Sequence, residues 1–158
     1  MTPGKLARLQ FLARVVAKEC RHLEITDRRL FSAVMTPARA VSLAEDADLA
    51  ERVEAFVGRF GRLQDTLADK LLPAMLSALG EQVGAQIDNL DRAERLGWVE
   101  SADQWLAIRQ LRNRMVHEYM EDMVMLAGAL QSGHDFVATL LRAANAMVGE
   151  LVARGWGE

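Results

Sequence analysis

Proline is the residue that most limits what this chain can fold into, because there is so little of it. Three prolines occur in 158 residues, at Pro3, Pro37 and Pro73. A proline inside a helix removes a hydrogen-bond donor and clashes with the preceding turn. The long windows between and after these positions are therefore free to be helical. Ala, Leu, Arg and Glu dominate them, and all are good helix formers. Runs of Val, Ile and Thr in strand-like alternation are missing. The chain reads as all-α: an antiparallel bundle of four to five helices with an extra N-terminal helical segment.

The length suits one domain with its own core. No repeat, low-complexity tract or long linker divides it. The reading is a single domain over residues 1–158, with a core of about 48–152 and an N-terminal add-on over 1–36. The one cysteine, Cys20, excludes an internal disulfide and a cysteine metal cluster, and reads as a small buried residue. Phe11 to Ala17 is apolar, but Arg14 interrupts it and Lys18 and Glu19 bound it, so a secretory pattern is missing. The longest apolar run, Met123 to Leu130, is far short of the ~20 residues that span a bilayer. A cytoplasmic protein without membrane contact is expected. The net charge of −3 argues against broad nonspecific nucleic-acid binding but leaves room for a local basic site.

Apolar periodicity predicts a first helix from Lys5 to about Leu23 on Leu6, Leu9, Leu12, Val16 and Cys20. A short second piece, Glu24 to Ala33, would be capped by Thr26-Asp27. Thr36-Pro37 breaks the pattern. A helix from about Asp48 to Lys70 follows, on Leu49, Val53, Phe56, Phe60, Leu63 and Leu67. Pro73 should kink or restart it, and Gly80 should end it. Gly84 to Leu96 predicts a helix with Ile87, Leu90 and Ala93 inward, stopped by Gly97. Ser101-Ala102-Asp103-Gln104 fits a capping box opening the next helix, whose stripe is Trp105, Ile108, Leu111 and Met115. Met120 to Leu130 predicts another. Ser132-Gly133 reads as a turn, with His134 or Asp135 capping a last helix to about Ala153 and a frayed tail beyond it.

The chemistry concentrates in Leu111-Arg112-Asn113-Arg114-Met115-Val116-His117-Glu118-Tyr119. Arg112 is a permanent cation, His117 exchanges a proton near neutral pH, Asn113 donates and accepts, and Tyr119 carries a phenol. On one helix Arg109, Asn113 and His117 line one side, away from the Trp105–Met115 stripe. Arg112 and Tyr119 share another side, nearer the stripe. At ~100° per residue Arg112 and His117 are about 140° apart. They cooperate only if the helix ends near His117, or if two copies of the stretch face each other. A cation beside a histidine suits phosphodiester cleavage. The histidine moves the 2′-hydroxyl or leaving-group proton, and the arginine neutralises charge on the phosphorus oxygens. A metal would need about three ligands at suitable spacing. His22, His117 and His134 are scattered with no His-x-x-x-His pair, so neither metal nor cofactor is expected. Taken alone, an Arg and a His five apart near a helix end also fit a plain C-terminal cap.

The segment Arg112 to Tyr119 resembles the Arg-x4-His-x-Tyr signature of HEPN-domain proteins. More narrowly, it resembles HEPN toxins encoded beside minimal nucleotidyltransferases. Asn113 matches the polar residue after the Arg. Leu96-Gly97-Trp98 and Trp105 match the turn and aromatic that precede the motif, and the resemblance covers about Asp48 to Val152. It implies a helical bundle that dimerises through the motif helices and acts as a metal-independent endoribonuclease toxin of a bacterial toxin–antitoxin pair. Arg112 would hold the scissile phosphate, His117 would be the general acid/base, and Asn113 would orient either. Tyr119 would be the position to which a minimal nucleotidyltransferase antitoxin attaches AMP, blocking the RNA cleft with bulk and negative charge. Arg109 and Arg114 would be secondary phosphate contacts. The alternative within the same family is a non-catalytic partner or substrate-binding subunit of such a nucleotidyltransferase. Arg59 and Asp65 are further candidates for a cleft, though a solvated face is the simpler reading of each.

Overall fold

A computed structural model describes residues 1–118 and 121–157, and these residues form helices and no strand. In chain order they are α1 (Pro3–Leu30), α2 (Pro37–Val41), α3 (Ala47–Asp65), α4 (Leu72–Ala78), α5 (Gln86–Arg95), α6 (Ala102–Glu118) and α7 (Met123–Ala153). A 3₁₀ turn, Ser42–Ala44, follows α2, and a π-helical segment, Thr66–Leu71, joins α3 to α4. The all-α bundle predicted from the sequence is the observed fold.

α1 is one 28-residue helix rather than two pieces. Thr2 caps it and Pro3 opens it, where a missing N–H does no harm. Leu9, Leu12, Val16, Leu23 and Leu30 are at most 1% exposed, so the N-terminal segment shares the core through its packing on α3 and α7. The expected cap Thr26-Asp27 lies inside the helix. Thr26 is buried against Arg59, and Asp27 Oδ1 lies 2.7 Å from His134 Nδ1.

α7 corrects a second expectation. It runs unbroken through Ser132-Gly133 for 31 residues, roughly 46 Å, and its cap is Asp122, which accepts from Val124 and Met125 N–H. Gly133 is a packing position: a Cβ there would sit 3.1 Å from Met115 Sδ and 3.2 Å from Phe56 Cε1. His134 is no cap but stacks on Phe31, ring centroids 4.3 Å apart. By length and composition α7 is apolar enough to cross a membrane, unlike the short run Met123 to Leu130 considered alone. Its buried side packs on α1, α2 and α6.

The tail is docked rather than frayed. Gly155, at φ 72°, lets Trp156 N–H reach Leu151 C=O at 2.8 Å, closing a Schellman motif that seats Trp156 against the core. Gly97, at φ 80°, ends α5 the same way, with Trp98 N–H on Ala93 C=O. In α5, Leu90 and Ala93 are buried as predicted. Ile87 is not, at 50% exposed, and Asn89 is buried in its stead, hydrogen-bonded to both backbone polar groups of Gly84.

Candidate functional site

α6 carries the site, and its own stripe orients it. Trp105, Ile108, Leu111 and Met115 are buried against α3 and α7. Ser101 accepts from Gln104 N–H at 3.1 Å, and Glu94 accepts from Ala102 N–H at 2.9 Å, so both a local cap and α5 fix the start of the helix. With the stripe inward, Arg109, Asn113, Arg114 and His117 are exposed, and Arg112 is half-buried.

Arg112 points at α3. Its Nη1 donates to Asp65 Oδ1 at 2.9 Å. Its Nε lies 2.7 Å from where a Cβ at Gly61 would stand, so the side chain crosses α3 only because residue 61 has none. Asp65 is thus not merely part of a solvated face. Arg59 also has a fixed role: its Nη1 donates to Thr26 Oγ1 and to His22 C=O, tying α3 to α1. Arg109 donates to Gln86 Oε1, and Gln86 Nε2 donates to Asp69 Oδ1. Asp65 precedes the π-helical segment and Asp69 lies within it, so one stretch of backbone holds Arg112 directly and Arg109 through Gln86.

α6 runs through His117 to Glu118, so within one chain Arg112 and His117 stay on different sides of the helix. Tyr119 lies outside the described residues. Next to the motif, a groove of about 270 Å³ between α3 and α6 is lined by Glu54, Val57, Gly58, Met115 and Val116. Val116, Val124 and Met125 are exposed at the junction of α6 and α7.

Among the described residues no three His, Cys, Asp or Glu side chains converge as a metal set would. One pair with ligand spacing is present on α1, Glu19 and His22. It shares its cavity with Lys18, Arg59 and Arg62, cations that oppose a bound metal ion. Glu19 accepts from Thr66 Oγ1 at 3.0 Å, and its other oxygen is buried with no hydrogen-bond partner. Burial pushes its carboxyl above the ordinary value; the Thr66 hydrogen bond, Lys70 and Arg62 act the other way, and Asp65 adds a smaller upward push. Asp65, Gly61 and Gln86 are the residues that sequence reasoning did not assign to Arg112 and Arg109. Their partners lie 23 to 51 residues away in the chain, and no periodic signal links them.

Comparison with protein-family models, curated proteins and solved structures gives no match for this chain.

Proposed function

We propose that this protein is a HEPN-type, metal-independent endoribonuclease, the toxin of a bacterial toxin–antitoxin pair, working as a homodimer. The observation that carries the reading is the setting of Arg112. It is a half-buried guanidinium anchored at one nitrogen by Asp65, at the edge of a helix that presents Val116 and His117 outward. A second copy packed on the exposed Val116, Val124 and Met125 would bring its own His117 towards this Arg112. In that composite cleft Arg112 binds the scissile phosphate and His117 transfers the proton, with Asn113 orienting them and Arg109 and Arg114 adding phosphate contacts. A minimal nucleotidyltransferase antitoxin that attaches AMP to Tyr119 would silence it.

The test is cleavage of total RNA by the purified protein with chelator present, beside His117→Ala. Chelator-resistant cleavage that disappears in a folded His117→Ala protein supports the reading. Equal cleavage by both proteins rejects the role of His117.

One observation favours the second reading, a non-catalytic partner of a minimal nucleotidyltransferase: the Asp65 carboxylate already occupies one face of Arg112. Under that reading a well-folded dimer cleaves no RNA and forms a stable complex with the nucleotidyltransferase.

A further inference from the structure

The chain is acidic overall, yet the seam between α1 and α3 is not. Two adjoining cavities, of about 240 and 190 Å³, lie along it and share Arg59. The first holds Arg29 and Arg52, with Asp48 and Glu51; the second holds Lys18 and Arg62, with Glu19 and His22. Five permanent cations therefore face three carboxylates, and burial holds one of these, Glu19, toward its neutral form. The whole chain has the opposite balance, 19 basic to 22 acidic residues.

Two of these cations are placed by the fold. Arg59 is fixed by Thr26 and the His22 carbonyl, so its orientation is set before any ligand arrives. Arg62 lies over Gly58, its guanidinium 3.7 to 3.9 Å from where a Cβ would be. One turn along α3, Arg112 lies over Gly61. Neighbouring turns of α3 thus carry two guanidiniums, that of its own Arg62 and that of Arg112 from α6, each resting on a glycine. Arg62 is therefore the member of the basic seam on the turn of α3 next to the one that Arg112 crosses. From Arg52 to Arg62 the helix rises ~15 Å.

We propose that this seam is a track for the sugar–phosphate backbone of single-stranded RNA, running along α1 and α3 and over Gly58 into the Arg112 cleft. The proposal rests on the ribonuclease reading above and assigns the N-terminal helix a part in substrate binding. Among the described residues no aromatic ring lines either cavity, so the track holds phosphates rather than stacked bases. Its binding is sequence-tolerant and falls with salt.

The experiment uses the full chain carrying His117→Ala, so that RNA survives, and a fluorescent mixed-sequence single-stranded RNA read by anisotropy between 50 and 200 mM salt. Lys18→Gln, Arg29→Gln and Arg52→Gln are combined, since none of these side chains makes a hydrogen bond or ion pair with another of the described residues. The expected result is about tenfold weaker binding at 50 mM salt and a log–log salt slope smaller by about 2, at ~0.7 per lost phosphate contact. If the triple variant misfolds, Arg52→Gln alone is expected to lower the slope by about 0.7. Unchanged affinity and slope, with binding still weakened by Arg112→Ala, overturn the track and leave the ribonuclease reading standing. Absence of RNA binding by the His117→Ala chain itself overturns both.

Discussion

Arg112 Nη1 and Asp65 Oδ1 are 2.9 Å apart, joining helices through residues 47 positions apart in the chain. Both side chains are about a third exposed, so the pair itself adds only ~0–1 kcal/mol to stability. Its consequence is positional: it sets where the guanidinium of α6 can meet a ligand.

Gly61→Ala tests that. The new Cβ would meet Arg112 Nε at 2.7 Å, and the flexible side chain, not the backbone, has to move. Alanine is ~1 kcal/mol better than glycine within a helix. The expected variant therefore melts at or above the temperature of the parent. RNA cleavage, under the ribonuclease reading, falls by up to about 10²-fold because the cation is misplaced. Paired melting and cleavage measurements decide it, and unaltered cleavage would remove Gly61 and Asp65 from the site.

The glycines of α7 should separate by environment. Gly128 and Gly149 have nothing within 4 Å of a new Cβ, so alanine at either position should stabilise by up to ~1 kcal/mol, or about 2–4 °C in melting temperature. Gly133→Ala should destabilise by ~1–3 kcal/mol, because Met115 and Phe56 must give way in the core. Calorimetry on the three single variants checks the order, and a Gly133→Ala protein as stable as the other two contradicts the packing described.

Cys20 should be slow to react. Burial, then Glu24 and Glu19, push its thiol up to about 11, from an ordinary 9.0. At pH 8 that leaves roughly 10²-fold less thiolate than a free thiol has. Alkylation should be correspondingly slow in the folded protein and recover in denaturant. Fast labelling of the native chain would contradict the assigned environment.

Glu19 gives a stability prediction with a definite sign. Its carboxyl is raised above 4.5, so the folded chain binds that proton more tightly than the unfolded chain. Stability contributed here is present at low pH and is lost as pH rises above 4.5 through the raised value. Glu19→Gln should flatten that part of the pH–stability curve and leave the protein at least as stable at pH 7. A loss above about 1 kcal/mol at pH 7, with the slope unchanged, would mean that the carboxylate is stabilising there.

The sequence was most legible where neighbours one helical turn apart share an environment. The Trp105–Met115 stripe, the Ser101 cap and the Gly80 and Gly97 stops depend on residues three to five apart, and all appear where periodicity and capping place them. Two of the misreadings have one source. Ser132-Gly133 has the composition of a turn and Thr26-Asp27 that of a cap, but distant partners, Phe56, Arg59 and His134, give them other uses within continuous helices. The same holds at the candidate site. The spacing of Arg112, Asn113 and His117 can be read in one line of sequence, whereas the carboxylate and the glycine that orient Arg112 belong to another helix.

The π-helical segment Thr66–Leu71 has a consequence for insertions and deletions. Such a segment accommodates about one extra residue in an otherwise α-helical path. Removing a single residue there would leave a regular helix with no strained backbone. Because the extra residue is absorbed in one wide turn, its loss would leave the flanking turns facing as they do now. Leu72, Met75 and Leu76, now fully buried, would stay on the core. A one-codon loss within this stretch should thus be far milder than the same loss in the regular part of α3, where everything downstream would turn by ~100°.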